Sequence, residues 1–367
     1  MRVTLALSTL CENPDRRTGL STLFPEFVHN ARRIFPDVGW IVFAGRGGFE
    51  AKDDPGIRVC LDFPSNERPC VRLFADHFRV GAEARRRGAA ALVTVGLYPV
   101  LPSGLPVVMQ VFAAGDPGQG GARGAYRRWA VARGLAKASL VITNSAWAGA
   151  ALGRSEAPVL VSPEGIRHDL FTAEGPGDGG GDVRRYFLWV SNFYPYKRAE
   201  LALRAYAGLP EHLRSEFPFV LVGGDWDGGR SLAQAEAHRL GIEKNVSFRG
   251  WVADDALPGL YRGAIAHVLS TSQETFGRGV LEAMACGCPS ALQDLPVLRE
   301  VAGECAQFTD FANTGSATEA LRALCTDSAL RARFTAVGIA RAREFSFDRL
   351  ARERVGAILN VLASGTP

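Results

Sequence analysis

Short runs of aliphatic and β-branched residues recur through the first half of the chain: VTLALS at Val3–Ser8, then WIVFAG, IRVCLDF, ALVTVG, VVMQVF, LVITNS and VLVSPEG. Between them, apolar residues return at helical spacing around Leu20–Ile34, Val71–Arg87, Ala122–Lys137 and Ala146–Leu152. Strands alternating with amphipathic helices predict a parallel sheet covered on both faces. The pattern stops at TAEGPGDGGGD, Thr172–Asp182, where Gly175, Pro176, Gly177, Gly179, Gly180 and Gly181 crowd together without apolar periodicity, as in an interdomain linker. It restarts with YFLWVSN at Tyr186–Asn192, then FVLVGG, VSFRGW, AHVLSTS and PSALQD. The expected fold class is therefore α/β, with two doubly wound, Rossmann-like parallel-sheet domains. Residues 1–172 form the first domain, 173–183 the linker and 184–345 the second domain. Phe347, Leu350, Val355, Ile358 and Leu362 mark a last helix within 346–367, expected to pack back on the first domain.

Doubly wound sheets bind ligands beyond the carboxyl ends of their strands, so two such domains facing each other imply a ligand in the cleft between them. The bulk properties narrow the partners. The 367 residues suit two to three domains, and no run approaches the ~18 apolar residues of a spanning helix. A net charge of +4 is too small and too scattered for a dedicated nucleic-acid domain. The seven cysteines are odd in number and hold no C-x-x-C pair, which argues against a disulfide framework or zinc site and suits a reducing cytoplasm. The apolar Met1–Leu10 segment runs into Glu12, Pro14, Asp15, Arg16 and Arg17 with no small-residue cleavage site, so no signal peptide is expected. One count stands out. Only Lys52, Lys137, Lys197 and Lys244 are lysines among 42 basic residues.

The stretch STSQETFGRGVLEAMACGCP, Ser270–Pro289, carries the richest chemistry. Gly277 and Gly279 permit a tight strand-to-helix turn, and the helix that follows is apolar on nearly every side except at Glu282. A buried carboxylate needs a partner. Glu274 lies eight residues earlier in the loop, near the backbone N–H groups at which a helix start receives an anion. Two readings fit these residues: a ligand site, or a capping carboxylate with a structural ion pair. Lys197, in VSNFYPYKRAEL, follows a strand and opens a helix, which suits phosphate binding; the alternative is a solvated surface lysine. Gly19, in RRTGLST, opens the first helix, where backbone could approach a phosphate.

Taken together, VSNFYPYKR, LVGGDWDG, NVSFRGWV, LYRGAIAHVLSTSQETFGRGVLEAMACGCP and DLPVLREVAGECAQF resemble the donor half of retaining glycosyltransferases of family 4, which have the glycosyltransferase B fold. The resemblance runs from about Tyr186 to Phe345; in the first half it rests on strand order, Gly19 and VSPEGIRHDLF. It implies a metal-independent transferase, without a cofactor, that moves a hexosyl group from a nucleotide-sugar donor to a sugar, lipid-linked or small-molecule acceptor bound by the first domain. Glu274 would contact the donor sugar hydroxyls and Glu282 the ribose hydroxyls. Phe276 and Gly277 would offer backbone N–H groups, Lys197 would neutralise the leaving diphosphate, and Gly250, Trp251 and Val252 would border the base. Glu274 and Lys197 are the implied catalytic pair.

Two positions depart from the family pattern. Asn192 stands where many members have arginine, and Arg198 or Arg278 would supply the missing phosphate cation. Phe112 falls near the family's common histidine; Asp116, the nearest carboxylate, reads as a turn residue before Pro117. Asp225-Trp226-Asp227 looks like the Asp-x-Asp of metal-dependent transferases but sits in a glycine-rich turn. No G-K-[ST] follows the glycines, which excludes a P-loop. Cys286 and Cys288 read as packed thiols, and the six histidines show no metal-ligand spacing. Arginines 79, 85, 86, 87, 123, 127, 128 and 133, with Tyr126 and Trp129, form either a solvated helix surface or a face for peripheral membrane contact. A nucleotide-sugar sensor without turnover, and a pseudo-glycosyltransferase or epimerase, are the alternative functions.

Overall fold

A computed structural model describes residues 3–12, 19–45, 48–112, 121–178, 186–225 and 227–365. The chain divides into two compact units: unit 1 comprises Met1–Gly165 and Phe347–Pro367, and unit 2 comprises Ile166–Ser346.

Unit 1 holds seven strands: β1 (Val3–Ser8), β2 (Val38–Phe43), β3 (Ile57–Cys60), β4 (Ala91–Val95), β5 (Val107–Val111), β6 (Leu140–Thr143) and β7 (Val159–Val161). They form one sheet in the order β3-β2-β1-β4-β5-β6-β7, with every pairing parallel. Strands covered on both faces need apolar side chains on both; Leu5, Ala6 and Leu7 of β1 are accordingly all fully buried. The helices are α1 (Gly19–Ile34), α2 (Pro69–Phe78), α3 (Val80–Arg86), α4 (Gly121–Lys137) and α5 (Ala146–Ala151). The run expected as one helix over Val71–Arg87 is therefore two, separated at Arg79.

Unit 2 repeats the design with β8 (Tyr186–Val190), β9 (Phe219–Val222), β10 (Val246–Gly250), β11 (Ala264–Leu269), β12 (Ser290–Gln293) and β13 (Ala306–Thr309), in the order β10-β9-β8-β11-β12-β13. Its helices are α6 (Ala199–Ala207), α7 (Glu211–Glu216), α8 (Gly229–Arg239), α9 (Leu257–Gly263), α10 (Arg278–Ala285), α11 (Pro296–Ala302), α12 (Thr314–Thr326) and α13 (Ser328–Ala342). β13 had no counterpart among the expected strands. It is an edge strand of four residues, AQFT, whose two middle residues are only half-buried, so it lacks an apolar run.

The last helix, α14 (Phe347–Ala363), belongs to unit 1, where Phe347, Leu350, Ala351, Val355 and Ile358 join the apolar cluster that contains Phe24, Phe27 and Val28 of α1. Arg354 enters the same interior and is 1% exposed. It donates from Nη1 to Gln110 Oε1 (2.6 Å) and from Nη2 to the Ser162 carbonyl (2.9 Å). Its guanidinium lies 5.9 and 5.6 Å from the Phe27 and Phe112 ring centroids. Burial lowers its pKa to about 10, with the Glu164 and Glu353 charges opposing the shift.

The passage between units falls at Gly165/Ile166, not after residue 172 as the sequence suggested. Ile166 is buried in unit 2, and its N–H donates to the Phe345 carbonyl. The described part of the glycine-rich segment is also fastened to unit 2: Asp178 N donates to Gly259 O (2.8 Å), and Arg262 Nε donates to Pro176 O (2.8 Å). Residues 179–183 of that segment, Asp116 and Trp226 lie outside the described residues. Among the described residues, no helix is long and apolar enough to cross a membrane.

Two stability effects follow. Removing the guanidinium leaves Gln110 Oε1 and the Ser162 carbonyl buried without their donor, so Arg354→Ala should lower the stability of unit 1 by about 2 to 6 kcal/mol in chemical denaturation. His267 of β11 is fully buried, and burial lowers its pKa to about 3. Below its ordinary value, 6.5, the unfolded chain takes up a proton that the folded chain refuses, so stability falls with pH. His267→Leu should remove this slope of about 1.4 kcal/mol per pH unit between about pH 6 and 4, read from denaturation midpoints across pH.

Candidate functional site

In unit 2, β8 and β11 are neighbours in the sheet, with β9 on the far side of β8 and β12 on the far side of β11. The strand order reverses between them, and a crevice opens at such a point beyond the strand ends. Lys197 leaves the end of β8 and Glu274 the end of β11. Their side chains meet: Lys197 Nζ donates to Glu274 Oε2 at 2.6 Å, with the side chains 13% and 15% exposed.

Local backbone chemistry fixes that meeting. After β8 the chain enters a 3-10 turn, Pro195–Lys197, and Arg198 then adopts the left-handed conformation at φ 53. A non-glycine residue held there stores strain that its surroundings must supply. The loop after β11 supplies it: Ser270 Oγ donates to Arg198 O (2.8 Å), Ser272 N and Oγ donate to Tyr196 O (2.8 and 3.0 Å), and Thr271 Oγ1 reaches the same carbonyl (3.3 Å). The Tyr196 ring stacks on Tyr194 with centroids 5.5 Å apart, and the Lys197 ammonium lies 5.4 Å from the Tyr196 centroid. Burial opposes the Lys197 charge, but the Glu274 carboxylate, assisted by Tyr196, more than compensates, so Lys197 titrates above the ordinary lysine value.

Helix α10 begins immediately beyond this pair. Gly277 has φ 101, and a Cβ there would stand 2.8 Å from Leu298 Cδ2, so glycine is required twice over. The same Cβ would lie 3.8 Å from Glu274 Cγ, whereas a Cβ at Gly279 would lie 3.4 Å from Tyr261 Oη and 3.9 Å from Val190 O. The Gly277-Arg278-Gly279 turn thus runs between two carboxylates. Glu274 flanks it on one side; on the other is Glu282, whose Oε2 accepts from Tyr261 Oη at 3.1 Å. Burial raises the Glu282 pKa, and the Arg278 charge and the Tyr261 hydroxyl hold part of that rise down. A helix start favours negative charge; at that of α10, Val280 N already donates to Gly277 O (2.9 Å). Phe276 turns inward, 2% exposed, against Phe345.

Asn192 serves the neighbouring turn, accepting from Gly224 N at 3.2 Å. A Cβ at Gly223 would fall 1.7 Å from Ser191 O, so the two backbones lie in contact. Gly223 N in turn donates to Gly250 O (2.8 Å), which brings the Gly250–Val252 segment alongside. Trp251 there is 53% exposed, and Val252 packs on the unit 2 core. Asp225 Oδ1 accepts from Arg230 N at 3.4 Å, as a turn residue at the start of α8 does. Among the described residues no group of three or more His, Cys, Asp or Glu is arranged to hold a metal ion. Cys286 is buried, with its thiol pushed up to about 12 by desolvation. Gly19 belongs to unit 1, as the first residue of α1. Phe112 is buried at the end of β5 under the Arg354 guanidinium. Sequence reasoning passed over Tyr196, Tyr261 and His267, because a tyrosine or histidine in an apolar run reads as core until its neighbours are known. For His267 that reading is sufficient among the described contacts: it is fully buried, with Nδ1 3.4 Å from Ser290 Oγ.

Residues 181–341 match the family model described as glycosyl transferases group 1. Over 173 residues the chain is 30% identical to the O-antigen chain mannosyltransferase B of Escherichia coli, a stretch covering 47% of this chain and 45% of that protein. The chain spans about half the length of the curated relatives it matches. Its fold is similar to that of sucrose-phosphate synthase from Thermosynechococcus elongatus, with a TM-score of 0.82, 17% identity and 100% of both chains covered. It is also similar to Anabaena Alr3699/HepE in complex with UDP-glucose, with a TM-score of 0.77, 18% identity, and 97% of this chain and 99% of that one covered. The chain thus has the glycosyltransferase B fold, and its residues 181–341 match the glycosyl transferases group 1 family.

Proposed function

We propose that this chain is a retaining, metal-independent glycosyltransferase that moves a hexosyl group from a nucleoside diphosphate sugar to a glycan, lipid-linked or small-molecule acceptor. The observation that carries the proposal is the Lys197–Glu274 pair at the mouth of the Gly277-Arg278-Gly279 turn, where a cation, a carboxylate and a helix start converge. The curated relative from Escherichia coli is a mannosyltransferase and the Anabaena neighbour binds UDP-glucose, which supports a sugar nucleotide as donor.

The chemistry follows from these groups. The bond from the anomeric carbon to the diphosphate oxygen breaks, negative charge develops on the leaving phosphate and the sugar becomes oxocarbenium-like. Lys197, Arg278 and the N–H groups at the start of α10 stabilise that charge. Glu274 holds the sugar hydroxyls, and Glu282, oriented by Tyr261, holds the ribose. The acceptor oxygen attacks from the face the diphosphate leaves, and its proton passes to a departing phosphate oxygen. The anomeric configuration is thereby kept without a protein nucleophile, and neither Phe112 nor a metal ion is asked to activate the acceptor.

The test is a panel of UDP-, GDP- and dTDP-sugars scored first by thermal shift and then by nucleotide release with candidate acceptors. Stabilisation without release under any acceptor would favour the sensor reading. Lys197→Ala should lower turnover about 10²- to 10³-fold, the range for removing one group that stabilises developing charge, and Glu274→Gln should do the same with the fold intact. Release that is undiminished in both variants would refute the site. Tyr261→Phe should instead raise the donor KM about 10- to 100-fold with little change in kcat, since a charge-assisted hydrogen bond that only orients a binding carboxylate is lost.

A further inference from the structure

Unit 1 presents, on α2 and α4, side chains that neither its core nor the proposed chemistry uses. Helix α2 turns Asp76 and His77 inward, where Ser8 Oγ donates to Asp76 Oδ1 (2.7 Å) and Arg72 Nε to Asp76 Oδ2 (3.0 Å). The same helix turns Val71, Phe74 and Phe78 outward, at 52%, 58% and 41% exposure. Their spacing of three and four residues makes one stripe. A helix that hides its acid and shows its aromatics inverts the usual order of a soluble surface.

The stripe continues across a second helix. Phe74 and Phe78 rings lie 5.1 Å apart, His77 lies 6.2 Å from Phe78 and 5.9 Å from Trp129 of α4, and His77 Nε2 is 2.7 Å from Tyr126 Oη. Trp129 is 45% exposed, and the Arg133 guanidinium stands 6.0 Å from its ring. The charge around the strip is mainly positive, although Glu67 beside Arg68 is also exposed. Helix α4 contains four arginines and a lysine but no acid, Arg128 beside Trp129 is exposed, and exposed Arg68 and Arg79 flank the two ends of α2. Aromatic rings bordered mainly by arginine have the composition of a surface that sits at a lipid headgroup boundary.

We propose that this face of unit 1 docks on an anionic lipid surface, with Phe74, Phe78 and Trp129 entering the headgroup boundary and Arg68, Arg79 and Arg128 meeting lipid phosphate. The proposal does not depend on glycosyl transfer, and it is read without turnover.

The experiment is flotation of the full chain with vesicles of phosphatidylcholine alone or mixed with phosphatidylglycerol, at low and high salt. The expected result is partition at least about tenfold stronger on the mixed vesicles and weakened by salt, as exposed charge pairs are screened. The Phe74→Ser/Phe78→Ser variant and the Arg68→Gln/Arg79→Gln/Arg128→Gln variant should each lose about tenfold or more of that partition, with thermal midpoints and nucleotide-sugar binding unchanged. Equal partition on both vesicle types, no partition, or undiminished partition of both variants would overturn the proposal. So would a dimer in solution that the phenylalanine variant converts to monomer, because the occupant of this face would then be a second copy of the chain.

Discussion

The Lys197–Glu274 ion pair joins the two loops on which the rest of the unit 2 site depends. Each side chain is largely withdrawn from water, so removing either would leave the other without its partner. Together they lock the turn after β8 to the loop after β11, and the hydroxyls of Ser270, Thr271 and Ser272 complete the lock by capping carbonyls 196–198. The left-handed conformation of Arg198 is a consequence of this closure. A pair that keeps two carbonyl-rich loops together also presents a cation and a carboxylate at one point, the juxtaposition on which the proposed transfer rests.

The rest of the site is backbone brought closer than side chains allow. Gly223 lies on Ser191, Gly229 lies on Phe193, and Gly277 lies under Leu298; a Cβ at any of them would fall at 2.8 Å or less from its neighbour. These contacts leave the start of α10 open toward the crevice while Val280, Leu281, Ala283 and Met284 bury the helix behind it. The start of α10 is therefore held in place by the core itself. Glu282 is the exception in that apolar helix, and Tyr261 satisfies it.

Unit 1 solves a different problem. Its last helix comes from the far end of the chain and is anchored by an arginine deep in an apolar cluster, where Gln110, Ser162 and two aromatic faces replace water around the guanidinium. With that guanidinium against the Phe112 ring, the end of β5 carries structural packing. Helices α2 and α4 of the same unit show apolar rings and arginines together at its surface.

Much of this was written in local pattern. The alternation of strand and helix, the glycines at 277 and 279, the carboxylates at 274 and 282 and the rare lysine at 197 are all visible in the sequence, because strand, turn and helix propensities act over a few residues. The glycine-rich segment was legible as a break in pattern. Its attachment to unit 2 was not, since that rests on hydrogen bonds to Gly259 and Arg262 some 80 residues away. The same limit hid β13, whose edge position relieves it of an apolar run, and it hid the roles of Tyr196 and Tyr261. It also hid the outward stripe of α2, because Val71, Phe74 and Phe78 have the spacing of an inward face until Asp76 is seen to find Ser8 and Arg72. The sequence by itself determined which chemical groups exist and in which local conformation; only the tertiary structure decided which of them meet, because burial and partner choice depend on residues that the chain brings together from far apart.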